Sequence, residues 1–248
     1  MGILYLIATP IGNTDDITIR ALRTLFSVEY IACEDTRRTG LLLQNYELRI
    51  KNDELRIKDL NITKKPKLIS YYDEVEEIKA PEIIEFLENG NDVGLVSDAG
   101  TPLIADPGFK LVRECLKRNI KVESIPGPSS VITALVSSGL PSNQFLFLGY
   151  LPEKQTKRKK TLDKVRRLLG ESHEIKPTII FFETPHRIKE SLEDLKETFG
   201  DTEIVIAREL TKIHEEVWRG KVSEAFKRVF KGELVVIFNY KPGWSCTL

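Results

Sequence analysis

The feature that most constrains the fold is the alternation of short apolar segments with amphipathic ones over the first 138 residues. Short apolar runs that end at Gly or Pro predict buried strands, whereas apolar residues at helical spacing predict helices. The predicted strands lie within 3–10, 29–35, 67–73, 91–102 and 121–130. Strands that alternate with helices in this way favour a parallel sheet covered on both faces.

The regular alternation of predicted strands and helices ends after this region. Four further apolar runs, at 145–151, 178–184, 203–209 and 233–240, are separated by fewer helical segments. The 248 residues are enough for one large or two small domains. We therefore predict an N-terminal, mostly parallel α/β domain over 1–124 and a C-terminal α+β domain with a mixed sheet over 125–242.

The composition excludes several classes of protein. The 37 basic and 37 acidic residues cancel, so that any nucleic-acid site must be a local patch. No apolar run approaches the roughly 18–20 residues of a membrane-spanning helix, and the N-terminus lacks a signal-peptide pattern. The three cysteines form no CxxC motif and the three histidines have no zinc-binding spacing. These features predict a cytoplasmic protein without a membrane or metal partner.

Three loops rich in Gly and Pro follow predicted strands, at 8–13, 96–108 and 125–130. Ligands of parallel α/β sheets bind outside the carboxyl ends of the strands, where small residues let the backbone approach a ligand closely. The sequence has no GxGxxG, no GxxxxGK[ST] and no GxSxG motif. Each loop taken alone is also compatible with a simple tight turn.

Five strings identify the resemblance to a known family: ACEDTRRTGLLL, VSDAGTPLIADPGFKLV, IPGPSSVITAL, FFETPHR and ARELTK. They closely resemble the ribosomal RNA small subunit methyltransferase I family, a branch of the tetrapyrrole methylase superfamily. The resemblance implies two α/β domains with S-adenosylmethionine in the cleft between them, and a homodimer. It also implies methyl transfer to the ribose 2′-hydroxyl of a cytidine in small-subunit ribosomal RNA. The run SYYDEVEE departs from the family, in which many members have histidine and asparagine.

Carried over by motif, the resemblance implies a set of residues that bind the methyl donor. These residues are Pro10, Gly12, Asp98, Gly100, Thr101, Pro102, Leu103, Ile104, Ala105, Ser129, Ser130, Phe182, Glu183, Leu210, Gly232 and Glu233. Apolar members suit adenine, and backbone amides at the predicted helix start after 128 suit a carboxylate.

A ribose hydroxyl is a weak nucleophile and must lose a proton, so we expect a general base. The candidates are Glu34, Asp35, Asp106 and His186. The sequence does not rank them, because Asp35 and Asp106 also fit the N-caps of predicted helices.

The segment 154–167 holds eight basic residues and one acid, Asp163. Such a concentration fits phosphate binding, although it also fits a solvated helix face. We predict RNA contacts, within an assembled small subunit, from Arg37, Lys157, Arg158, Lys159, Lys160 and Arg187.

Two other functions stay open at this point. One is a tetrapyrrole-type small-molecule methylase with the same fold, and the other is a non-catalytic RNA-binding factor for ribosome assembly. The string ELRIK, which occurs at 47–51 and again at 54–58, is compatible with a short helical arm or an extended ribbon.

Overall fold

A computed structural model of the chain describes residues 1–52, 54–55, 65–171 and 176–240. The chain forms two compact units, of which the first is Met1–Ser129 and the second begins at Ser130. The sequence-based boundary after residue 124 differs because the strand at 121–125 pairs along its whole length with the first strand.

In its described residues, the first unit contains five strands and four α-helices. The strands are β1 (Ile3–Ile7), β2 (Tyr30–Cys33), β3 (Lys67–Ser70), β4 (Val93–Val96) and β5 (Lys121–Ile125). The helices are α1 (Ile19–Leu25), α2 (Thr36–Lys51), α3 (Glu76–Glu88) and α4 (Phe109–Lys117). The strands lie in the order β3-β2-β4-β1-β5, and every pair is parallel. The predicted parallel sheet is confirmed.

Apolar side chains cover both faces of this sheet. One buried cluster includes Leu4, Leu95 and Leu111, and a second includes Ile7 and Leu25. Leu4 and Ile7 belong to the same strand and take part in different clusters, as expected for a strand buried on both sides. The sheet is therefore rigid at its centre, and the loops at its carboxyl edge are fixed by the strands that they follow.

The second unit has five strands and four helices in the described part of the chain. The strands are β6 (Phe145–Tyr150), β7 (Thr178–Glu183), β8 (Glu203–Arg208), β9 (Glu216–Lys221) and β10 (Leu234–Phe238). The helices are α5 (Ser130–Ser138), α6 (Gln155–Glu171), α7 (Ile188–Phe199) and α8 (Val222–Ala225).

The sheet of the second unit has the order β6-β7-β10-β8-β9. Only β6 and β7 are parallel, and the other pairs are antiparallel, which confirms the predicted mixed sheet. The strand β9 was not predicted. No helix within the described ranges is long and apolar enough to cross a membrane.

The first ELRIK string forms the last turns of α2. Most of the second string, 54–58, lies outside the described residues.

Candidate active site

Hydrogen bonds join the three loops that follow β1, β4 and β5. The backbone N–H of Thr9 donates to the Gly100 carbonyl at 2.9 Å, and the Gly100 N–H donates back at 3.0 Å. The Thr101 hydroxyl donates to the Pro128 carbonyl at 2.9 Å. The three Gly- and Pro-rich loops therefore form one surface at the carboxyl edge of the parallel sheet, where ligands of such sheets bind.

Two glycines permit this close approach of the loops. Gly100 has a φ of 85°, and a Cβ placed there would lie 3.2 Å from Cγ2 of Ile11. A Cβ at Gly127 would lie 2.9 Å from the Cβ of Ala8, which is closer than real carbon contacts. Glycine is needed at both positions for the loops to meet.

Left-handed backbone conformations of non-glycine residues concentrate in the predicted donor-binding segments. Within the described residues, five non-glycine residues have a positive φ: Leu103, Ala105, Asn119, Glu209 and Thr211. Two belong to the 96–108 loop, with φ values of 71° and 68°, and two flank Leu210. Such conformations cost of order 1–3 kcal/mol each and are typical of ligand-binding sites.

The 96–108 loop exposes apolar residues to solvent. Ile104 is 41% exposed, Ala105 is also exposed, and Leu103 is half-buried. Pro102 is buried and anchors the loop. An exposed apolar side chain on a loop that follows a buried strand suits a ligand with an aromatic part.

The donor-binding residues predicted for the second unit lie at one end of its sheet. The Glu209 carboxylate accepts the Glu233 N–H at 2.9 Å, and the Glu209 N–H donates to the Glu233 carbonyl at 3.0 Å. Gly232, with a φ of 80°, forms the turn. In the pairing of β7 with β10, Glu183 is opposite Leu234. The strand pairing thus brings together Leu210, Gly232–Glu233 and Glu183.

The Glu183 side chain has a structural role in the turn before α7. It is buried and accepts hydrogen bonds from the Ser191 hydroxyl and, at 2.8 Å, from the Thr184 N–H. Any contact of Glu183 with a ligand would therefore come from its backbone. The half-buried Phe182 packs against the rings of Phe147 and Tyr150, at centroid distances of 4.9 and 5.4 Å.

Glu34 follows β2 and is the candidate whose protonation the fold changes most. Burial, followed by the charges of Asp106 and Asp98, raises its pKa to about 7. Its Oε1 atom is buried and has no hydrogen-bond partner among the described residues. A carboxyl group with a pKa near neutrality and a free oxygen is suited to accept a proton.

Asp35, next in the chain, has a different environment. Its carboxylate caps α2 by accepting the Arg37 N–H at 2.8 Å, and the Arg37 guanidinium binds the same carboxylate through two nitrogens. These bonds lower the pKa of Asp35 to about 2. A carboxylate held in this way is a weak base, so Asp35 is better explained as the N-cap.

The other two candidate bases lie in different surroundings. Asp106 is half-buried before α4, and burial raises its pKa. His186 is exposed in the turn before α7 of the second unit. Within the described residues, no group of three or more His, Cys, Asp or Glu side chains could hold a metal ion.

The basic segment forms the first part of α6, and one prediction in it was wrong. Arg158 is fully buried: its Nε lies 2.6 Å from Asp194 Oδ2, and its other nitrogens bind Glu190 and the Glu153 carbonyl. It cannot contact RNA, because its guanidinium is enclosed by its own unit.

The remaining predicted RNA contacts differ in their exposure. Lys157 and Lys160 are exposed, whereas Lys159 is half-buried and pairs with Glu197 at 2.6 Å. The Arg37 side chain is 88% exposed. Arg187 is mostly enclosed and donates to the Leu151 carbonyl.

Comparisons with known proteins agree with this fold. The family model for tetrapyrrole (corrin/porphyrin) methylases matches residues 3–225. A solved diphthine synthase covers 96% of this chain and 90% of its own, with a TM-score of 0.69 at 14% identity. The uroporphyrin-III-C-methyltransferase of Thermus thermophilus covers 96% and 94%, with a TM-score of 0.61 at 18% identity. The chain belongs to the tetrapyrrole methylase family.

More similar relatives define the branch. The ribosomal RNA small subunit methyltransferase I of Thermotoga maritima is 42% identical over 247 residues, which cover 97% of this chain and all of the relative. The protein of the same name from Haemophilus influenzae is 42% identical over 97% of this chain and 80% of its own length. Within the family, the chain therefore belongs to the ribosomal RNA small subunit methyltransferase I branch.

Proposed function

We propose that this protein transfers a methyl group from S-adenosylmethionine to the ribose 2′-hydroxyl of a cytidine in small-subunit ribosomal RNA. The observation that carries the proposal is the 42% identity, over nearly the full length of both chains, with a relative named for methylation of that RNA. The joined loops and the Glu34 carboxyl supply the chemistry that such a reaction needs.

The residues of the first unit fit the proposed methyl donor. S-adenosylmethionine, when bound, supplies an electrophilic methyl group on a positively charged sulfur. The loop at 100–105 offers carbonyl oxygens for the polarised carbons beside such a sulfur, and the exposed Ile104 offers an apolar contact for adenine. Leu103 and Ala105 have left-handed backbone conformations, and strained conformations of this kind cluster at ligand-binding sites.

Glu34 is the residue that we assign as the general base. The attacking hydroxyl must lose its proton as the new bond to carbon forms, and a base with a pKa near the working pH removes it most effectively. Glu34 has such a pKa and an oxygen available for the proton. Asp106 keeps the local potential negative and so maintains the raised pKa of Glu34.

We assign RNA contacts to Arg37, Lys157 and Lys160, whose charges are exposed. Cations at such positions hold a phosphate backbone in place and give little sequence selectivity. Selection of one cytidine therefore favours an assembled small subunit, in the cytoplasm, as the substrate. The homodimer implied by the family resemblance is part of the same proposal, and analytical ultracentrifugation of the purified protein tests it.

The decisive experiment compares small-subunit ribosomal RNA from cells with and without the gene, by nucleoside mass spectrometry. We expect one 2′-O-methylcytidine to be lost and to return when the purified protein and S-adenosylmethionine are added to the unmodified subunits. An unchanged nucleoside profile would contradict the proposal.

A calorimetric titration with S-adenosylmethionine separates the two other candidate functions. Donor binding without RNA methylation would point to a small-molecule methylase, and RNA binding without donor binding would point to an assembly factor.

A further inference from the structure

Asp98 joins the start of α2 to the loop after β4 through its side chain. Its carboxylate accepts the Asp35 N–H at 3.2 Å and the Arg38 guanidinium at 2.8 Å. That N–H belongs to the peptide group that links Asp35 to Glu34, so the bond also holds the backbone at Glu34. The position of Glu34 therefore depends on the residue that Arg38 holds.

The charges around Glu34 are mostly negative. Asp98, Asp106 and Asp73 each act on it electrostatically in the same direction. Arg37 is bound to Asp35, so the cation that offsets the charge of Asp98 is Arg38. Removal of Arg38 would leave an unpaired carboxylate beside the proposed base.

We infer that Arg38 is a positioning residue for the proposed methyl transfer: it holds the Asp98 carboxylate in place and shields Glu34 from its charge. The inference rests on the proposed function and concerns a residue to which the sequence analysis gave no role. Arg38 is itself largely exposed and acts through Asp98, so its effect on the reaction is indirect.

The test is the pH dependence of a single turnover with unmodified small ribosomal subunits and labelled S-adenosylmethionine, both saturating. In Arg38→Gln we expect the acid limb of the pH–rate profile to move to higher pH by about half a unit, since loss of the cation leaves the negative charge of Asp98 unpaired and so stabilises the protonated form of Glu34. The rate at pH 6.5 should fall about threefold and recover above pH 8.5. Arg38→Lys keeps the charge and should restore most of the wild-type profile.

Arg113→Gln is the matched control, because it removes an equal charge from an exposed position on α4 of the same unit. Its acid limb should coincide with that of the wild type. A profile of Arg38→Gln that superimposes on the wild type, or a loss of equal size at every pH, would overturn the inference. Failure of the wild type itself to methylate the subunits would instead refute the proposed function.

Discussion

The two units contain buried charge in opposite arrangements. At the carboxyl edge of the first sheet, Glu34 and Asp106 are half-buried close to other carboxylates, and the pKa of each is raised. Between α6 and α7 of the second unit, Arg158 and Asp194 are both about 1% exposed and are bound to each other at 2.6 Å. Charged groups are buried in both regions, but only in the second unit are the buried charges paired with groups of opposite charge.

The difference separates a reactive site from a structural one. A buried charge with all its partners stays ionised and holds two elements together, whereas a buried carboxyl without a cation tends to take up a proton. The first arrangement is suited to proton transfer, and the second fixes α6 against α7. Four variants test this comparison.

The largest effect is expected for Glu34→Gln. The amide cannot accept the proton of the attacking hydroxyl, so kcat should fall about 10³-fold, within the usual range for loss of a general base. The wild-type kcat should itself show an acid limb near pH 7, where Glu34 becomes protonated, and the variant should lose this limb. Binding of S-adenosylmethionine, measured by calorimetry, should change little. If the variant keeps the wild-type kcat, Glu34 is not the general base.

Arg158→Ala tests the structural arrangement. It leaves the Asp194 carboxylate buried without its main partner, so the free energy of unfolding should fall by about 3–5 kcal/mol. Urea denaturation measures the change, and Lys157→Ala, at the exposed neighbouring position, is the control that should alter it little. Equal stability of the two variants would show that the buried pair contributes nothing.

Reversal of exposed charge on α6 should have an intermediate effect. Lys157→Glu with Lys160→Glu should weaken binding to small subunits about tenfold at 0.1 M salt and make the salt dependence less steep, because fewer counterions are released. Fluorescence anisotropy over a salt series measures both quantities. Lys231→Glu, also exposed in the second unit, is the control. An unchanged salt slope would exclude this face of α6 from the RNA interface.

The smallest effect is expected for Asp35→Ala. The variant loses the N-cap of α2 and the Arg37 pair, so the melting temperature should fall slightly. The acid limb of the pH profile should stay near pH 7, since Asp35 is not the base. Loss of the acid limb together with a large fall in kcat in this variant would instead assign the proton transfer to Asp35.

The sequence predicts the positions of most strands along the chain because each strand is a short apolar run between turn residues. β9 was missed because its residues, EVWRGK, contain no such run. This strand lies at the edge of the sheet and pairs only with β8, so that it needs no continuous apolar stretch.

The site was less predictable than the fold. The two adjacent acids Glu34 and Asp35 are equivalent in sequence, and only tertiary burial and the pairing of Arg37 separate their pKa values. The burial of Arg158, in contrast, could have been predicted from the sequence. Arg158 lies four residues before Leu162 and therefore shares the buried face of α6, which argues against a phosphate contact.

The unusual backbone at Leu103 and Ala105 has a consequence for attempts to improve this protein. Leu103 also packs against the core of the first unit, so glycine there would lose apolar contacts, whereas glycine at the exposed Ala105 would relax the chain, and a screen for heat tolerance would select it. The same replacement would loosen the surface on which the cofactor is proposed to rest. Directed evolution toward hardier variants would then trade catalytic efficiency for durability at this position.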